Sequence, residues 1–138
     1  MPASLTRTVA FHALHRLHHP DWSAERNRDT YGPLSEYHPH DYTCAVTVSG
    51  PLDPGTGMAV DLVLLDRILQ EEIVDPMAGR RLNDDLPAFA SGRPLPTCEA
   101  LATHLFARIA ARLPTGTRLQ RVRVAEDPTL HADCTGLS

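Results

Sequence analysis

Lysine is missing from this chain, cysteine is scarce, and no apolar run approaches the roughly 18–20 residues that span a bilayer. All 13 basic residues are arginines set against 17 acids, for a formal net charge of -4. That balance excludes the clustered positive footprint of a nucleic-acid binder, and no membrane partner is expected either. The three cysteines, Cys44, Cys98 and Cys134, are widely spaced with no C-x-x-C pair. This argues against a disulfide framework and against a cysteine-based zinc site. The opening stretch MPASLTRTVAF lacks the basic-then-apolar order of a signal peptide, so a cytoplasmic protein is expected. Internal repeats and low-complexity segments are absent, and 138 residues are expected to form one domain over 1–138.

Histidine, by contrast, is abundant and unevenly placed. Of eight, six come early (His12, His15, His18, His19, His38 and His40), none falls between His40 and His104, and His131 is last. Residues 5–17 alternate as a half-buried strand does, with Phe11, Ala13, His15 and Leu17 on one face. The polar stretch 18–37 reads as a long loop with a helical turn beginning after Ser23, and loops of that length are more often functional than idle. A second strand is expected over 38–50, ending at the turn PLDPGTG. Helices are expected over 60–73, with a stripe of Val60, Val63, Leu64, Ile68 and Ile73 behind Asp61, and over 97–113, with Leu101, Leu105, Ile109 and Leu113. Residues 118–126 and 130–136 read as two more strands. The order is ββααββ, an α+β domain with an antiparallel sheet.

Strand alternation puts His38 and His40 of H-P-H on one face, about 7 Å apart, close enough for two imidazoles to converge on one metal. His15, near the end of a neighbouring strand, can supply a third ligand. Three neutral histidines with an open fourth position is the arrangement of catalytic zinc. An exposed pair of surface histidines gives the same H-x-H pattern.

Longer stretches carry a resemblance over nearly the whole chain. F-H-A-L-H-R-L (11–17), S-A-E-R-N-R-D-T-Y-G (23–32) and H-P-H-D-Y (38–42) resemble the F-x-A-x-H-x-L, S-x-E-x-N-x-x-x-Y-G and H-G-H-N-Y motifs of the 6-pyruvoyl- and 6-carboxy-tetrahydropterin synthase family. D-P-G-T-G-M-A-V-D-L (53–62), L-N-D (82–84), P-T-C-E-A-L-A (96–102) and V-R-V-A-E (122–126) continue the match in order. The resemblance implies the tunnelling fold, ββααββ subunits whose sheets join into an oligomeric barrel, as trimers or hexamers with sites between subunits. It implies Zn2+ on His15, His38 and His40. It also implies that Glu126 anchors the pterin ring, a role that suits a carboxylate facing paired N–H donors. The reaction it implies acts on a dihydropterin: triphosphate elimination with internal redox, or side-chain loss to a carboxylated pterin.

The sequence also departs from the family. The proton shuttle usually combines a cysteine in the loop before H-x-H with an Asp-His pair after the first helix. No cysteine precedes Cys44; the loop thiol's place falls near Leu34 or Ser35. The stretch matching the Asp-His pair is D-P-M-A-G-R-R (75–81), which holds no histidine. Two carboxylates are candidate substitutes. Glu36 stands two residues before His38, where some family members carry a glutamate three residues before it, and is either a catalytic base or a solvated loop acid. Asp41, in place of the motif's Asn, is either an orienting group for a ligand histidine or a surface charge. His18, His19, Arg80 and Arg81 are further polar candidates, while Cys44, Cys98 and His104 read as packing or surface residues. Two functional readings follow: a zinc-dependent lyase-like enzyme with altered proton-transfer groups, or a silent homologue that binds a pterin or purine-like ligand or serves as an oligomeric interaction module.

Overall fold

Apolar residues at every second position of two long segments pull them into one sheet. β1 (Pro2–His15) and β2 (His38–Pro51) pair antiparallel end to end, Pro2 opposite Pro51 and His15 opposite His38. β3 (Arg118–Asp127) follows on β2 and β4 (Leu130–Cys134) on β3, giving the order β1-β2-β3-β4. The computed structural model describes residues 2–136, so the expected domain over 1–138 includes three positions outside the described residues.

Period-two alternation divides the sheet's faces. Phe11, Ala13, Tyr42, Cys44, Val46, Val48, Val122 and Val124 are buried on one side. Helix α5 (Cys98–Ala110) packs over β3 and β4, and a π-helical turn (Gln70–Val74) lies against β1. The opposite side carries Thr6, whose hydroxyl lies 2.7 Å from that of Thr47, together with the Arg123–Asp133 pair.

Helix α2 (Leu62–Leu69) runs through that π-helical turn into the short α3 (Asp75–Met77). Asp61 caps α2, its carboxylate accepting from the N–H groups of Val63 and Leu64. The buried stripe of this segment is Leu65, Ile68, Leu69, Ile73 and Met77. The expected stripe was therefore partly out of phase, and Val63, 71% exposed, faces outward. Glu72 also lies on the buried stripe, where Arg108 and Arg112 of the α5 region neutralise it. α5 holds its expected stripe of Leu101, Leu105 and Ile109 and is capped by Thr97, while Leu113 falls beyond its end. The linker between them contains α4 (Leu82–Asp85) and a 3-10 turn, Pro87–Phe89.

The expected loop over 18–37 is more ordered than its polarity implied. It holds α1 (Ala24–Tyr31), started by Ser23, whose side chain accepts from Arg26 N–H, and a 3-10 turn, Gly32–Ser35. β1 also stops at His15, two residues short of the expected end, because the following backbone is claimed by a side chain. Asn83, buried, accepts from the N–H of Arg16 and donates to its carbonyl. Asn27 holds His19 in the same two-way manner. Leu17 accordingly lies outside the strand.

Candidate metal centre

The strand ends bring the histidines together. His15 closes β1, His38 opens β2 directly opposite, and His40 lies two residues further along the same face. The His15 ring stands 4.6 Å from that of His38 and 5.0 Å from that of His40, centroid to centroid, in both cases edge-on. Glu126 on β3 comes in from the side, its Oε2 2.6 Å from His40 Nε2 and 3.9 Å from His15 Nε2. One ligand atom from each of the four residues lies within 4.8 Å of every other.

Hydrogen bonds on the far side of two rings fix which nitrogen faces inward. The Nδ1 of His15 lies 2.8 Å from the carbonyl of Pro96, and that of His38 lies 2.8 Å from the carbonyl of Glu36. A carbonyl only accepts, so each Nδ1 carries the proton and each Nε2 presents a lone pair. Burial, the largest influence, pushes the pKa of His15 down and keeps the ring neutral, as a metal ligand must be. The Nε2 atoms of His15 and His40 are buried with no hydrogen-bond partner among the described residues. Orphaned buried acceptors cost stability, and a cation relieves them. Three imidazoles and a carboxylate suit zinc in donor type and number, so the residues fit the ion that the sequence motifs imply.

Two neighbours were not anticipated as site residues. Cys98, the first residue of α5, places its Sγ 3.5 Å from Glu126 Oε1. Burial, then the nearby carboxylate, pushes its thiol up to about 12, so it remains protonated and donates. Tyr42 lies wholly buried beneath the rings of His15 and His40, and its hydroxyl has no partner among the described residues. Burial raises its pKa. The Y of H-P-H-D-Y was a signal for Tyr42; nothing in the sequence joined Cys98 to Glu126.

The two candidate catalytic carboxylates are placed differently from each other. Odd positions of β2 point away from the histidine face, and Asp41 is 96% exposed beside His12 Nδ1, 2.9 Å away, as the surface-charge alternative has it. It orients none of the three clustered histidines. Glu36 meets His38 through its backbone carbonyl while its side chain is exposed. Arg81 stacks on the Tyr37 ring, as Arg16 does, and the Gly79 N–H donates to the His12 carbonyl, tying the 75–81 stretch to β1. His19 stacks on Trp22. Cys44 is a buried core residue.

A four-stranded antiparallel sheet with helices on one face and a histidine–carboxylate cluster at one end defines an α+β subunit of the tunnelling-fold class. The sequence model of 6-pyruvoyl tetrahydropterin synthase matches residues 4–136. The 6-pyruvoyl tetrahydrobiopterin synthase of Homo sapiens is 34% identical over 126 residues, covering 90% of this chain and 85% of the human one. That of Poecilia reticulata is 38% identical over 112 residues, covering 80% and 75%. The solved Caenorhabditis elegans 6-pyruvoyl tetrahydropterin synthase superimposes with a TM-score of 0.87 at 28% identity, covering 99% of this chain and 97% of that one. The chain belongs to the 6-pyruvoyl tetrahydropterin synthase family.

Proposed function

We propose that the protein is a zinc-dependent lyase-type enzyme that acts on a dihydropterin or a closely related heterocycle. The observation that carries this reading is the buried, unpartnered Nε2 of His15, fixed as an acceptor by Pro96 and aimed at His38, His40 and Glu126. The names of its relatives, 6-pyruvoyl tetrahydrobiopterin synthases, support a pterin as the ring system.

Zinc held by His15, His38 and His40 would polarise a substrate oxygen and make the adjoining C–H bond easier to deprotonate. The remaining steps belong to the chain's own groups. Glu126 offers two acceptor oxygens to the paired N–H edge of the heterocycle, which fixes its orientation. Cys98 donates to one of those oxygens and keeps the carboxylate turned towards the site. Tyr42 brings a buried O–H donor to the floor. Neither a loop cysteine nor an Asp-His pair stands here, so the protons move through groups other than the family's usual ones, with Glu36 the nearest loop carboxylate in sequence. General acid-base groups typically contribute about 10²–10⁴-fold, so turnover of dihydroneopterin triphosphate is expected to be slow or redirected to another product.

The test is to incubate the zinc-loaded protein with dihydroneopterin triphosphate and with other dihydropterins, following products by mass. Conversion of at least one supports the enzyme reading. Tight binding with no turnover of any would replace it with a silent pterin-binding homologue.

A further inference from the structure

We propose that Glu126 is a displaceable fourth protein ligand, closing the three-histidine centre while no substrate is present and leaving it to receive the heterocycle. This rests on the proposed zinc centre and adds a second state to it.

The geometry around Oε2 supports a shared cation. His40 Nε2 lies 2.6 Å from it, yet the two atoms are not aligned as a hydrogen bond, and the nitrogen is buried with no hydrogen-bond partner among the described residues. With the His40 proton on Nδ1, as on His15 and His38, the Nε2 lone pair would repel a carboxylate oxygen at that distance, and a cation bound by both would turn repulsion into binding. The 2.6 and 3.9 Å separations of Oε2 from His40 and His15 bracket the edge of about 3.3 Å expected of a tetrahedron with zinc bonds near 2.0 Å. His38 completes the set within the 4.8 Å limit that all four ligand atoms share.

The carboxylate is also mounted to turn. Its two oxygens have different neighbours, Oε2 the histidines and Oε1 the Cys98 thiol, so the side chain is held at one corner while the other faces the metal site. The β3–β4 register shifts between Ala125 and Asp127, which leaves residue 126 outside the regular ladder. Such bulges re-aim a side chain without breaking the sheet. A ligand presenting two parallel N–H donors would engage both oxygens and draw Oε2 off the metal. The fourth coordination position would then open only when a heterocycle of the right hydrogen-bonding pattern is seated. A carboxylate closing the site also adds a negative charge there, which disfavours stray anions at the metal.

The test uses cobalt(II) as a visible reporter of coordination and a chromogenic chelator to measure zinc affinity. Glu126→Gln is expected to bind zinc about 10–100-fold more weakly, by analogy with loss of groups that support metal ligands. Its cobalt spectrum is expected to differ from wild type. Unsubstituted pterin, which has the N–H edge but no side-chain oxygens, is expected to shift the wild-type spectrum towards that of the variant. Equal zinc affinity and identical cobalt spectra for the two proteins would overturn the proposal. A wild-type spectrum unmoved by bound pterin would overturn it without any variant. If wild type binds neither metal, the centre itself falls and this proposal with it. Normal binding lost in His38→Ala but kept unchanged in Glu126→Gln sinks the displaceable ligand alone.

Discussion

The imidazoles at the strand ends owe their orientation to two backbone carbonyls, those of Pro96 and Glu36, which hold the Nδ1 protons of His15 and His38 outward. Tyr42 illustrates the opposite situation, a buried hydroxyl left without a partner. Its removal in Tyr42→Phe is expected to leave stability unchanged or slightly raised, since an unsatisfied buried polar group costs about 1–3 kcal/mol. Loss of more than about 2 kcal/mol in chemical denaturation would mean that the hydroxyl has a partner in the folded protein. The outward pair gives a companion expectation: Asp41→Asn and His12→Asn should keep wild-type zinc content, because both side chains lie on the far face of the sheet. Zinc loss in either would contradict that placement. At this scale the period of two was enough to join His38 and His40, and the same period, applied strictly, turns Asp41 away. Glu126 and Cys98 meet only through the packing of α5 on β3, a long-range contact between positions 28 residues apart that no local pattern encodes.

The two long helices differ in how plainly they announced themselves. α5 carries Leu101, Leu105 and Ile109 four apart, with Thr97 as its cap, and both features were legible. α2 was harder because Leu62–Leu65 offers four consecutive apolar residues, so the helical phase is ambiguous there; the charged Glu72, buried further along, masks the true stripe. Paired variants separate the phases. Leu65→Ala is expected to cost about 2–5 kcal/mol and Val63→Ala less than about 0.5, measured by denaturant unfolding. The reverse order would restore the first phase. Thr97→Ala is expected to cost about 1 kcal/mol through the lost cap, and also to weaken zinc binding, since it adjoins both Pro96 and Cys98. His104 of α5 supplies a pH expectation. Burial, then Arg108, lowers its pKa from the usual value near 6.5. Above that value both folded and unfolded chains are neutral at this site. As pH falls below about 6.5 the unfolded chain takes up the proton first, so stability falls with it. In His104→Gln the acid-side fall in melting temperature should be shallower than in wild type; an equal slope would assign it to other groups.

Across the whole molecule, the sheet leaves two edges, and the longer belongs to the 14-residue β1, bridged beside Leu14 by Arg81. Long free edges are seldom left open in stable proteins, and β1 and β4 of neighbouring copies are expected to meet, in a trimer or hexamer. Light scattering on the purified protein should give a mass that is a multiple of three chains of 15.2 kDa; a monomer at micromolar concentration would contradict this. The element order ββααββ was legible because apolar period and turn residues agree along most of the chain. Within residues 18–37 the helical turn after Ser23 was legible from its cap, but its extension over Ala24–Tyr31 was not, because AERNRDTY is polar and its order depends also on Asn27, whose contacts reach back to His19. The central claim concerns the metal, and its most direct measurement is the zinc content of purified wild type beside that of His38→Ala. One zinc per chain in wild type and close to none in the variant is the expected result. Full occupancy in His38→Ala would contradict the three-histidine centre.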